Sequence, residues 1–175
     1  WPFTVFVPTR AIDLGLQPYM SWNQLRELAA GGASIANHGH RHNHLIRQGR
    51  NESHGQWLQR VTDDLARAQQ RITAETGREP RLFAWPYGEY LPQLAPVLEM
   101  LDLTGFGQQS GPLTLGMERL ALPRFPVSGV YVDSDSLRVK LLSLPLPLRG
   151  VEPRSPLPPR GEFRPAMTLE LQADL

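Results

Sequence analysis

The sequence predicts an α/β fold in which strands and helices alternate around a parallel sheet. Three observations carry that prediction. Short, β-rich apolar runs recur between Phe3 and Phe125. The longer segments between them place apolar residues at helical spacing. Gly, Pro and Ser fall where one pattern gives way to the other. With 175 residues, 41% of them hydrophobic and 20% charged, the chain has the apolar content for one core. Eighteen Lys and Arg against seventeen Asp and Glu leave a net charge of +1. That balance gives no basic footprint for nucleic acid or an anionic membrane surface. No apolar run approaches the roughly 20 residues of a membrane span. Cys is absent, which excludes disulfides, thiolate metal sites and Cys nucleophiles.

Phe3 to Val7 is the first strand, apolar enough to be buried on both faces. It opens the chain with neither Met nor a charged and apolar leader, so the chain reads as a piece of something longer. Ser21 and Gln24 form a capping box, Trp22, Leu25, Leu28 and Ala29 follow at helical spacing, and Gly31-Gly32 stops that helix. Ala33 to Ala36 is a second strand. Residues 52–76 form the strongest helix, with Trp57, Val61, Leu65, Ala68 and Ile72 on one stripe and Gly77 at its end. Arg81 to Trp85 is a third strand, closed by Pro86-Tyr87-Gly88. Leu91 to Leu103 reads as a helix, with Pro92 suited to its first turn and Pro96 costly further in. Thr104 to Gln108 and Arg119 to Phe125 are further strands, and Asp133 to Leu142 a short helix on an acidic cap.

This pattern assigns residues 1–143 to one α/β domain. Residues 144–165 hold seven Pro and read as an extended connector. Residues 166–175 alternate, with Met167, Leu169 and Leu171 on one side. They are either the start of a following segment or an edge strand.

Four of the five His fall within Asn37-His38-Gly39-His40-Arg41-His42-Asn43-His44-Leu45. Two imidazoles three to five residues apart can converge on one cation. His38/His42 and His40/His44 are both spaced by four. A solvated polar loop is the competing reading. The metal reading gains from position, because ligands of α/β folds gather where strands end. The His cluster and Pro86-Tyr87-Gly88 both follow predicted strands.

The segment from Ile35 to Leu45 resembles the metal-binding motif of the polysaccharide deacetylases of the NodB-homology group, carbohydrate esterase family 4. The match selects His38 and His42 as ligands and Leu45 as a packing residue, and leaves His40 and His44 at variable positions. Phe83-Ala84-Trp85-Pro86-Tyr87-Gly88-Glu89-Tyr90 resembles that family's third motif, a wall of its groove. The wording is closest to the branch that deacetylates poly-β-1,6-N-acetylglucosamine of biofilms. Ala121-Leu122-Pro123-Arg124-Phe125-Pro126-Val127 continues the likeness, which covers roughly residues 1–130.

The resemblance implies a partial, distorted (β/α) barrel without its first strands, and a divalent cation, most often zinc. It also implies an exported, periplasmic or envelope enzyme that removes N-acetyl groups from a hexosamine polymer. By the match, Trp85, Pro86 and Tyr87 would face substrate, with Trp85 and Tyr87 either stacking on sugars or serving as ordinary wall or core aromatics. The Tyr87 N–H would hold the oxyanion, and Arg124 would place a positive charge near the catalytic base. The paired Asp of the family's first motif and its leaving-group His are missing. Asp63-Asp64 lies mid-helix with no Gly after it and is no substitute. Without base, third ligand and acid, the chain by itself is expected to turn over negligibly. The alternatives are deacetylases of chitin, peptidoglycan or xylan, and a polysaccharide-binding module that keeps the groove without the chemistry.

Overall fold

The computed structural model describes residues 3–114, 116–125, 133–143, 148–152 and 168–171. Four parallel strands form the main sheet: β1 (Thr4–Val7), β2 (Ser34–Asn37), β3 (Leu82–Ala84) and β4 (Thr104–Phe106). Their spatial order is their chain order, so each crossover returns to the next neighbour. That is the winding of a barrel rather than of a doubly wound sheet.

The helices fill the crossovers. A short α1 (Thr9–Asp13), which the sequence pattern does not announce, and α2 (Trp22–Ala30) join β1 to β2. Ser21 caps α2 through the predicted box, and Ser53 makes a second box with Gln56 at the start of α3 (His54–Thr76). Gly77 ends α3 at φ 71°, a left-handed conformation that suits Gly. The predicted α3 stripe is buried along its whole length, with Val61, Leu65, Ala68 and Ile72 fully inside. Trp57, Val61 and Leu65 pack into one core with Phe83, Trp85, Leu94 and Leu98. Ile72 packs into a second with Val7, Ile12, Leu25 and Ile35. Fully burying each of these large side chains contributes roughly 1.5–3 kcal/mol, so α3 is the element both cores share.

Three expectations need correction. The helix over Leu91 to Leu103 is two pieces, a 3-10 turn Pro92–Leu94 and α4 (Ala95–Met100). Each Pro occupies a first turn, where its missing N–H costs nothing, so Pro96 starts a helix and does not kink one. Arg119 to Phe125 is not a strand: it meets β4 through a single parallel bridge, Phe106 to Leu122, and scattered backbone bonds. The connector is not wholly extended spacer either. The Pro-free stretch between Pro147 and Pro153 forms β5 (Leu148–Glu152), antiparallel to β6 (Thr168–Leu171). Residues 166–175 thus hold a strand whose partner is β5. The rest of the connector lies outside the described residues, as does Pro126-Val127. The predicted helix near 133 is α5 (Ser134–Leu141), with Asp133 as its cap.

Candidate active site

β2 ends at Asn37, and the chain must then turn sharply across the top of the sheet. Asn37 is fully buried and uses both ends of its amide: Nδ2 donates to Leu65 O at 2.9 Å, and Oδ1 accepts from Gly39 N at 2.8 Å. Gly39 lies at φ 77°, where an added Cβ would come within 3.0 Å of Asp64 Oδ2. That carboxylate accepts from His40 N (2.8 Å) and Arg41 N (3.3 Å). Asp64 is therefore not a stand-in for a catalytic pair; it fastens the His loop to α3.

The loop sorts the four His into different environments. His38 Nδ1–H donates to Ala84 O at the end of β3, at 2.7 Å. A carbonyl only accepts, so the proton sits on Nδ1 and Nε2 keeps its lone pair, turned toward His42. Burial, opposed by the Ala84 bond and assisted by the neighbouring His42 and the Arg124 guanidinium, pulls its pKa down to about 4. His38 is therefore neutral at physiological pH. Its Nε2 lies 3.1 Å from His42 Nε2. Two imidazoles sharing a tetrahedral cation at about 2.0–2.1 Å would hold those nitrogens roughly 3.4 Å apart, so the pair fits a divalent ion after a small adjustment. Among the described residues, no third His, Asp or Glu completes a ligand set.

His40 and His44 take other partners. His40 is buried against Thr9, Nδ1 to Oγ1 at 2.9 Å, and burial lowers its pKa. His44 Nδ1 meets Glu89 Oε2 at 2.7 Å. Leu45 is buried, and its carbonyl accepts from Trp57 Nε1 at 2.8 Å.

The turn after β3 forms the facing wall. Pro86–Gly88 is a 3-10 turn in which Tyr87 adopts φ 60° and Gly88 φ 70°. Its internal bonds use the N–H groups of Gly88 and Glu89, and the Tyr87 N–H has no acceptor among the described residues. The Tyr87 ring is half exposed, stands edge-on to His42 at 4.8 Å, and donates its hydroxyl to His42 O at 3.2 Å. Trp85 and Pro86 do not face solvent. Trp85 is fully buried, its ring against Phe83 and its Nε1 donating to Leu120 O at 2.7 Å. Of the two aromatics proposed for sugar contact, only Tyr87 offers a surface; Trp85 is core. Beside His42 and Tyr87 an open cleft of about 750 Å³ runs past Arg47 and Asn51 toward α3.

Arg124 arrives from the segment bridged to β4. Its Nε donates to Gly107 O at 2.8 Å, and burial alone depresses its pKa. No carboxylate pairs with it among the described residues, and its charge is felt at His38.

Residues 1–106 match the polysaccharide deacetylase family. The chain belongs to that family. Solved structures agree on the fold. The BpsB deacetylase domain of Bordetella bronchiseptica is 26% identical, with a TM-score of 0.61 over 71% of this chain and 60% of that one. IcaB from Ammonifex degensii is 19% identical, with a TM-score of 0.62 over 79% and 62%. The Streptococcus pyogenes deacetylase PplD, solved with acetate, is 18% identical, with a TM-score of 0.62 over 69% and 50%. The chain thus spans between 50% and 62% of these solved chains. A search of curated protein sequences found no match. Asn37 and Glu89 are site residues to which the sequence assigns no role, and Asp64 is one it raises only to reject as a catalytic pair. Only Asn37 carried a signal, as a polar residue in an otherwise buried strand.

Proposed function

We propose that the protein containing this chain removes N-acetyl groups from a hexosamine polysaccharide, poly-β-1,6-N-acetylglucosamine first, with His38 and His42 holding a zinc ion. The observation that carries the reading is the convergence of two Nε2 atoms at 3.1 Å, at the strand ends of a polysaccharide deacetylase domain. A cation held there supplies Lewis-acid polarisation of the acetamide carbonyl and a water acidified toward neutrality. The chain's own residues orient and exclude. Ala84 O keeps the His38 proton on Nδ1, which leaves Nε2 free to ligate. The Tyr87 N–H, with no acceptor among the described residues, donates to the developing oxyanion. Arg124, lacking a carboxylate among the described residues, holds the catalytic base ionised. The base, a third ligand and the acid for the leaving amine are assigned to parts of the protein outside this chain. The setting is the periplasm or cell envelope, where such polymers are handled.

The test is acetate release by the full-length protein from β-1,6-linked and β-1,4-linked N-acetylglucosamine oligomers, with calorimetric zinc titration alongside. Faster release from the β-1,6 oligomers, and negligible release by the 175-residue chain alone, are expected. Equal turnover by the isolated chain would overturn the assignment of base and acid. Absence of both zinc binding and acetate release in the full-length protein would overturn the whole reading.

A further inference from the structure

Among the described residues only three non-glycine residues have positive φ: His42 at 56°, Tyr87 at 60° and Asp102 at 47°. Each such conformation is strained for a residue with a side chain and persists only where its surroundings over-determine it. Asp102 lies in the turn before β4. The other two touch each other in the candidate site, through an edge-on ring contact and the Tyr87 hydroxyl. At 3.2 Å that hydroxyl bond is weak, and half the Tyr87 residue is exposed. These contacts alone do not over-determine the turn.

A further contact does. The His44 ring lies flat on the Tyr87 ring, with centroids 4.1 Å apart and planes at 15°. His44 is in turn fixed by Glu89, Nδ1–H to Oε2 at 2.7 Å. Glu89 follows Tyr87 by two residues, and its N–H bonds to Pro86 O at 3.2 Å. The contacts therefore close a ring: Tyr87 stacks on His44, His44 donates to Glu89, and the backbone returns from Glu89 to Tyr87. It ties the loop after β2 to the turn after β3.

We propose that His44 and Glu89 are positioning residues: together they clamp Tyr87 in its left-handed turn and so aim its backbone N–H beside the His38–His42 pair. The proposal rests on the deacetylase reading for its catalytic consequence, and on stacking and hydrogen-bond geometry for its structural one. His44 ligates nothing, and neither residue touches substrate. Their effect passes through the backbone of Tyr87, whose misplacement by about 1 Å can cost on the order of 100-fold in rate.

The test uses the full-length protein and has two arms. In the kinetic arm, His44→Ala and Glu89→Ala each lower kcat about 10- to 100-fold, with KM and zinc affinity changed by less than about threefold. Glu89→Gln retains most of the activity, because the amide oxygen still accepts from Nδ1–H. The double variant is no worse than His44→Ala, since both break one clamp. In the structural arm, amide exchange at Gly88 is followed in metal-free protein. Its N–H bonds to Trp85 O at 2.9 Å, and exchange should accelerate in both Ala variants while core amides of α3 do not change. A raised KM with unchanged kcat would make His44 a sugar contact, and lost zinc affinity would make it a ligand; either overturns the proposal. Unchanged Gly88 exchange overturns it as well. If the wild type releases no acetate, the deacetylase reading falls, and the exchange arm alone still decides the clamp.

Discussion

His38 shows how one residue can join stability to chemistry. Its neutral form is enforced by burial, and the same burial makes acid costly. Between pH 6.5 and about 4 the unfolded chain takes up a proton that folded His38 refuses. The contribution is therefore complete above pH 6.5, falls away as pH drops toward 4, and is flat below. His40, whose pKa burial also lowers, adds in the same direction. The loss from His38 is at most about 3 kcal/mol, at about 1.4 kcal/mol per pH unit. Urea midpoints at pH 7 and pH 4.5 should show it, and His38→Gln should flatten the slope. A wild-type slope unchanged in His38→Gln would place the acid sensitivity elsewhere. Glu52 marks a separate window. Two bonds from Arg60 and one from Gly49 N hold its pKa at about 2, so its contribution is complete above 4.5, falls away between 4.5 and about 2, and is gone below that. On the ligand side, zinc titrations of the full-length protein should lose most affinity in His38→Ala and His42→Ala and little in His40→Ala, whose ring faces Thr9.

At the scale of elements, α3 does two tasks that the sequence announces unequally. Its apolar stripe was legible because packing repeats every three to four residues and leaves a periodic trace. Leu65→Ala should cost about 2–5 kcal/mol, the range for emptying a fully buried site. The second task, anchoring the His loop, leaves no periodic trace. Asp64 is one charged residue among several on the polar side, and only the folded path of residues 38–41 brings two N–H groups to it. Asp64→Ala should loosen the loop and weaken zinc binding, by leaving the part-buried His40 N–H unpaired at about 1–3 kcal/mol, while water takes up the exposed Arg41 N–H. Asp64→Asn, which keeps one acceptor, should recover part of the loss. Circular dichroism should show α3 intact in both; a melted α3 would make Asp64 a helix residue rather than a loop anchor. The Pro-bearing segments were misread for the opposite reason. Pro96 inside a long apolar run suggested a kink, yet a turn at Pro92–Leu94 resets the chain so that Pro96 begins its own helix.

Across the whole molecule, parallel strands and their His-bearing ends could be read from sequence because each is a local pattern. What joins distant segments could not. The sequence leaves Trp85 open between a groove aromatic and a core one, and the fold decides for the core, turning it inward onto a carbonyl 35 residues away. Residues 119–125 read as a strand, yet they dock on β4 without forming one. Gly105 makes that docking possible. A Cβ there would lie 2.0 Å from Leu120 O and 2.9 Å from both Trp85 Nε1 and Leu98 Cδ1. Its own N–H bonds to Arg119 O at 2.7 Å and its carbonyl accepts from Leu122 N at 2.8 Å. Leu120 O is backbone and already accepts from Trp85, so it cannot swing aside as a side-chain tip could. Gly105→Ala must lift residues 119–124 away from β4 and carry Arg124 out of the site. Overpacking of this kind costs about 1–3 kcal/mol, and more where backbone must move. His38 and His42 are held by β3 and the α3-anchored loop, so zinc affinity in the full-length variant should change by less than about threefold. Acetate release should fall at least about tenfold through the displaced Arg124. Denaturation, zinc titration and turnover on one Gly105→Ala preparation would read all three. A loss of zinc affinity matching that of His38→Ala would mean that the docked segment, and not the loop alone, sets the imidazole pair.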